Sequence, residues 1–188
     1  MLNTLSKKNI LTELIWESSS HNERDAGYAK WMAAIRRSHR MYVYIANDDA
    51  SQVDIQKLVG YSDNTSPGCE PFAVHLRNLL GDGIYYVRLA ENQYYFLIVC
   101  NGVIVSGTDC IVSEAFFNEM LNQLPDSRFS ALNISEVTAA QFERIIESCE
   151  AKQLIYKRKQ RLFWVGVGVG VLVLLIASAI FLYSIIAG

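Results

Sequence analysis

No acidic residue occurs after Glu150, and no charged residue of either sign after Arg161. Phe163 to Ala187 is therefore an uncharged stretch rich in Val, Leu and Ile. As a helix it reaches roughly 37 Å, enough to cross a hydrocarbon layer of about 30 Å with some tilt. Other absences bear on chemistry. The three histidines, His21, His39 and His75, are scattered, and no His-x-x-Glu-His or similar spacing offers metal ligands. Each reads as a surface or helix-face histidine. Cys69, Cys100, Cys110 and Cys149 show no CxxC pairing and no neighbouring histidine, so they read as reduced, mostly buried thiols. There is no Gly-x-x-x-x-Gly-Lys loop, no Gly-x-Ser-x-Gly elbow, and no Gly-x-Gly-x-x-Gly opening a soluble helix. No catalytic, cofactor-binding or metal site is assigned. The N-terminus carries no export signal: Glu13 interrupts the short apolar run Ile10 to Trp16, and no small-residue cleavage site follows.

What is present is a basic run directly before the apolar one. Lys157, Arg158, Lys159 and Arg161 form a collar, and bases beside a span stay on the cytoplasmic side. The order is thus a cytoplasmic domain over 1–156, a collar over 157–162 and a transmembrane helix over 163–187. Trp164 and Tyr183 suit the two interfaces as amphipathic anchors. Residues 1–156 hold 13 Lys and Arg against 19 Asp and Glu, a formal −6, which does not suit nucleic acid. The collar suits anionic lipid headgroups. Gly166 and Gly170, four apart in the span, read as a close-packing face for a second membrane helix, through which the protein would form a homo-oligomer. Asn64-Thr65-Ser66 and Asn133-Ile134-Ser135 match the glycosylation sequon, which a cytosolic face leaves unused.

Along the first 156 residues the pattern is α+β. Ile10, Leu11, Leu14 and Ile15 fit either one helical face or a strand, and Ser18-Ser19-Ser20 ends that run. Arg24 to His39 reads as a helix with Tyr28, Trp31, Met32 and Ile35 inward. Arg36, Arg37 and Arg40 lie on its polar side, the basic cluster outside the collar, and read as a solvated helix end or, more sharply, as a patch for an acidic protein partner. Met41 to Ile45 is aromatic and β-branched, hence a strand. Asn47-Asp48-Asp49 reads as a turn rather than a pair of working carboxylates. Ser51 to Tyr61 fits helix or strand, and Ser62 to Gly68 is a polar loop.

Pro71 belongs in the first turn of a helix, with Phe72, Leu76, Leu79 and Leu80 on one face, closed by Gly81-Asp82-Gly83. Ile84 to Ala90 and Tyr94 to Cys100 read as strands, the second apolar on both faces and so central. Asn101-Gly102 is a two-residue hairpin turn, because both positions tolerate positive φ. Val103-Ile104-Val105 returns alongside, and Ser106-Gly107-Thr108-Asp109 makes the next turn, completing a three-strand antiparallel meander. Tyr85-Tyr86 and Tyr94-Tyr95-Phe96 fit a binding surface or, as residues of central strands more often do, the core. Ser113 caps a helix with Phe116, Phe117, Met120 and Leu121 inward, closed by Pro125, and Arg128 to Ile134 is a short strand. Thr138 and Gln141 form a capping box opening a helix with Ala139, Phe142, Ile145, Ile146 and Cys149 on one stripe. No Pro or Gly separates that helix from the collar.

Val59-Gly60-Tyr61, Phe72 to Leu76 and above all Tyr94 to Asp109 carry a resemblance over roughly residues 40–125. The aromatic strand, Asn-Gly turn, apolar strand and small-residue Asp turn resemble the cytoplasmic domain of inner-membrane accessory proteins of type IVb pilus machines, of the bundle-forming pilus kind. The order of domain, collar and single span is similar too. The resemblance implies an actin-like subdomain, mainly an antiparallel sheet with flanking helices. It implies no nucleotide bound by that domain alone. The implied role is a non-enzymatic scaffold in the bacterial inner membrane, linking the cytoplasmic assembly ATPase to the polytopic membrane core protein. Members of that family carry a periplasmic region after the span, whereas the sequence stops at Gly188. Two other readings compete: a tail-anchored longin-like trafficking adaptor, and a membrane-anchored nucleotide hydrolase with an actin-like site. Against the first, only some thirty residues lie between sheet and span, too few for a long heptad segment.

Overall fold

The structure, a computed structural model, describes residues 2–17, 26–45, 57–64 and 66–187. Expectations about Ser18 to Ser20, His21, Arg24, the Asn47-Asp48-Asp49 turn and residues 51–56 lie outside them, as does the side chain of Tyr183. The fold is α+β with mixed sheets. In order the elements are α1 (Leu2–Lys7), β1 (Ile10–Leu11), β2 (Ile15–Trp16), α2 (Ala26–Ser38), β3 (Arg40–Ile45), β4 (Lys57–Ser62), β5 (Glu70–Pro71) and α3 (Phe72–Leu80). They continue with β6 (Gly83–Ala90), β7 (Gln93–Cys100), β8 (Val103–Ile104), β9 (Cys110–Ser113), α4 (Glu114–Gln123), a 3-10 turn (Leu124–Asp126), β10 (Ile134–Glu136) and α5 (Ala139–Ala187).

The chain divides into two compact units, Met1–Glu150 and Ala151–Gly188. In the first, β7 is the central strand of a five-stranded sheet. Its inner residues are buried on both faces, as an apolar run without alternation requires. On one side it pairs antiparallel with β6, on the other with β8 and then β9. Asn101 and Gly102 take φ of 53° and 69° in the turn between β7 and β8. The expected next turn at Ser106 to Asp109 is not a reversal. The chain loops out and resumes beside the same neighbour, so β8 and β9 are two halves of one interrupted third strand. Thr108 bridges the gap, its hydroxyl accepting from Ile98 N and donating to Val105 O.

Beyond α4 the chain crosses to the other edge, where β10 lies parallel to β6. That strand is Ile134–Glu136, whereas the sequence places it at Arg128 to Ile134; residues 128–131 form a turn instead. The strand order is thus β10-β6-β7, followed by the β8 and β9 halves. A second sheet, β2-β4-β3, is antiparallel, and β1 pairs parallel with β5.

The N-terminal apolar run resolves as neither a helix nor one strand. Glu13 takes φ 64° and breaks it into β1 and β2. Pro71 stands at the cap position before α3 rather than inside its first turn, and Leu79 is exposed. Likewise Trp31 and Phe116, expected inward, are exposed. In each case the next residue along the helix, Met32 or Phe117, holds the buried position. Ala139 is also exposed. The main core gathers Trp16, Phe72, Leu76, Tyr95, Leu97, Val99, Phe142, Ile145 and Ile146, while Phe96, Ile98 and Phe117 form a second cluster on the opposite face of β7.

The capping box forms as expected. Thr138 N donates to Gln141 Oε1 at 2.9 Å, and Gln141 N donates back to Thr138 Oγ1. From there α5 runs unbroken for 49 residues to Ala187. Among the described residues no helix is long and apolar enough to cross a membrane. The uncharged part of α5 whose side chains are continuously described runs from Leu162 to Leu175, roughly 21 Å of helix. The span expected over 163–187 extends beyond those side chains.

Candidate functional site

Two centres in the first unit gather buried polar side chains, and neither was legible in the sequence. The first is Asp109, placed inward by the loop-out of the third strand. Its Oδ1 accepts from Glu13 N at 3.0 Å and Tyr95 Oη at 2.8 Å. Its Oδ2 accepts from Leu14 N at 3.1 Å and Trp16 Nε1 at 2.9 Å. Four donors serve two oxygens, so the carboxylate's acceptor sites are well used. Burial nevertheless raises its pKa above the ordinary carboxylate value, and the four hydrogen bonds only partly oppose this. The same burial and the adjacent carboxylate push the Cys110 thiol up to about 11, so it is no ready nucleophile.

The second centre joins four elements. His75 on α3 meets Glu70 Oε2 of β5 with Nε2 at 3.2 Å and Ser148 Oγ of α5 with Nδ1 at 2.8 Å. Tyr44 on β3 donates to the same Glu70 oxygen at 2.9 Å. Of its reading as a surface or helix-face histidine, the helix holds, but His75 faces inward, buried and doubly bonded. A serine, a histidine and a carboxylate in line suggest nucleophilic chemistry. Ser148, however, sits well inside α5, where main-chain N–H groups are bonded within the helix. The line of residues is better suited to fastening α3 and α5 to the β3–β5 side of the core.

The three arginines of the cluster differ in their contacts. Arg36 Nη2 pairs with Glu17 Oε1 at 2.7 Å, and Tyr61 Oη donates to the same oxygen at 2.6 Å. Burial works to raise the Glu17 pKa, but Tyr61 and Arg36 together hold it below the ordinary value. Arg40 donates to Ser66 O at 3.0 Å, and its guanidinium lies 5.7 Å from the Tyr42 ring centroid. Tyr42 itself is buried, and its hydroxyl has no hydrogen-bond partner among the described atoms. Arg37 is exposed. Of the three, only Arg37 presents its charge outward without a described tie.

In the second unit, Lys157, Arg158, Lys159, Arg161 and Trp164 are all exposed along α5. Apolar side chains share that exposure: Leu154, Ile155 and Tyr156 before the collar, and Leu162 and Phe163 within and after it. A Cβ built on Gly166 or Gly170 would meet nothing within 4 Å, so that face is open. Among the described residues no three His, Cys, Asp or Glu side chains converge as a metal site would need. Within the second unit, the candidate functional surface is therefore the exposed, basic and apolar stretch of α5.

No family model matches the chain, and no curated protein matches it.

Proposed function

We propose that this protein is a non-enzymatic scaffold of a type IV pilus assembly machine, held in the bacterial inner membrane by residues 163–187 with the unit before it in the cytoplasm. The observation that carries this reading is α5. One uninterrupted helix begins at a capping box, contributes Phe142, Ile145 and Ile146 to the core, and continues through the collar into an uncharged stretch. Such a helix suits a part that holds and positions other proteins. Lys157, Arg158, Lys159 and Arg161 would meet anionic headgroups, Trp164 the interface, and Gly166 and Gly170 a second membrane helix.

The strand order supports the actin-like part of the reading. A meander whose first strand takes a parallel fourth strand after a helical crossover, followed by a further helix, is compatible with such a subdomain. The buried polar centres also favour a scaffold, because their groups are engaged with one another. The partners would be the cytoplasmic assembly ATPase and the polytopic membrane core protein. The full chain, solubilised in detergent and tagged, should retain both on an affinity column when they are co-expressed. Retention of neither would overturn the proposal.

A further inference from the structure

Asn101-Gly102 is the one place in the sequence where an asparagine precedes a glycine. The pair makes the turn between β7 and β8, with Asn101 exposed at its tip. Such a pair carries a reaction of its own. The Gly102 nitrogen, on giving up its proton, attacks the Asn101 Cγ carbon. The N–Cγ bond forms, the Cγ–Nδ2 bond breaks, and the side-chain nitrogen takes up the proton and leaves as ammonia, closing a succinimide ring. Water then opens either ring carbonyl to give aspartate or isoaspartate. Glycine favours the closure because no Cβ stands beside its nitrogen.

In this fold the reacting nitrogen is held. Asp82, in the loop between α3 and β6, accepts from Asn101 N at 2.7 Å with Oδ2 and from Gly102 N at 2.8 Å with Oδ1. Both bonds are charge-assisted. Arg77 Nε of α3 donates to Gly102 O at 2.8 Å and ties down the other side of the turn. The proton that Gly102 N must lose is thus already donated to an anion, and a neighbouring negative charge makes its loss harder. We propose that Asn101 is a deamidation site held closed by Asp82, so that the turn converts only when that clamp opens. The product matters because isoaspartate carries the chain through its side chain and adds a carbon to the backbone of a two-residue turn. That turn sets the register of Val99 with Ile104 and of Cys100 with Val103. An isoaspartyl turn no longer aims both N–H groups at Asp82 or Gly102 O at Arg77. The conversion therefore frees β8 from α3 and from the α3–β6 loop, although Ile104 of β8 belongs to the main core.

The test incubates the full chain in detergent at neutral pH and follows the peptide spanning Asn101 by mass spectrometry, with enzymatic methyl transfer to isoaspartate as a second readout. Asp82→Ala should convert Asn101 at least about tenfold faster than the wild type. Asp82→Asn, which keeps one acceptor oxygen, should fall between them and carries the test if Asp82→Ala does not fold. In urea all three chains should convert at one rate, because residue 82 no longer meets the turn; this separates loss of the clamp from loss of the fold. Isoaspartyl protein collected from aged wild type should lose amide exchange protection over 103–105, where β8 and Val105 N bond to β7. Equal or slower conversion in the folded Asp82 variants, or a difference between the chains that persists in urea, would overturn the clamp. Unchanged protection over 103–105 in the isoaspartyl protein would overturn the release of β8.

Discussion

The indole N–H of Trp16 donates to Asp109 Oδ2 at 2.9 Å, joining residues 93 apart in the chain. Through Asp109 the N-terminal segment is fastened to the central sheet, because Glu13 N, Leu14 N and Tyr95 Oη converge on the same carboxylate. Asp109→Asn keeps the shape but turns an amide N–H₂ toward two donors. Two hydrogen bonds are lost and two buried donors are left facing another donor, a loss of about 2–4 kcal/mol. Urea denaturation of the full chain in detergent should show a lower midpoint; an unchanged midpoint would mean Asp109 does not fasten these segments.

The pH dependence of stability has a sign set by the same residue. Burial raises the Asp109 pKa in the fold above its unfolded value, so the folded state holds that proton more tightly. Its contribution is fully present below the unfolded pKa, near about 4, and declines as pH rises through the raised one. Glu17 works in the opposite sense: its lowered pKa gives stability above the unfolded value that is lost as pH falls. Comparing the wild type with Asp109→Asn over this acidic range isolates the first effect. The stability difference should shrink with rising pH; a difference that grows would reverse the assignment.

Gly60 lies opposite Trp16 in the β2–β4 ladder, and a Cβ at Gly60 would come within 2.8 Å of the indole ring. The ring is buried and anchored by Asp109, so it has little room to retreat. Gly60→Ala should destabilise the protein by about 1–3 kcal/mol, the usual penalty for overpacking. Gly166→Ala meets nothing and should leave the thermal midpoint of the head unchanged. Circular dichroism melts of the two variants side by side provide the check, and equal melts would contradict the packing described.

His75 holds Glu70 and Ser148 in line, and Tyr44 shares the Glu70 oxygen. His75→Ala removes the buried partner of a buried carboxylate and opens a void, which should cost about 2–4 kcal/mol. Ser148→Ala, at an exposed position, removes one hydrogen bond and should cost nearer about 1 kcal/mol. Chemical denaturation should preserve that ranking. A Ser148→Ala variant as damaged as His75→Ala would place the weight of the cluster on the serine.

Replacing Lys157, Arg158, Lys159 and Arg161 by Gln should weaken attachment to anionic membranes by about 1 kcal/mol per base. Hydrogen exchange over 151–162 in nanodiscs with and without phosphatidylserine measures this. The anionic lipid should slow exchange in the wild type and have little effect in the Gln variant. Equal protection in both would remove the headgroup role of the collar.

What could be read from the sequence was local. The Asn101-Gly102 turn, the Ser113 cap and the Thr138–Gln141 box each depend on residues within a few positions, and all three form. The buried run of β7 was legible because it lacks alternation. The long-range partners were not. Nothing near Asp109 announces that Trp16 lies across from it, and nothing near Ile134 gives its parallel pairing with Ile84. His75 looked unremarkable because Glu70 lies on the preceding strand and Ser148 on a later helix. Only the Glu13 kink had a signal, a charged residue interrupting an apolar run, and it pointed to a break without fixing the positive φ that makes it.

The most direct test of the anchored scaffold is protease access to the full chain in bacterial inner-membrane vesicles of both orientations, probed with an antibody to the head. The proposed arrangement predicts carbonate-resistant membrane association, with the head digested in inverted vesicles and protected in right-side-out spheroplasts. A head digested only in spheroplasts, or released from the membrane by carbonate, would contradict it.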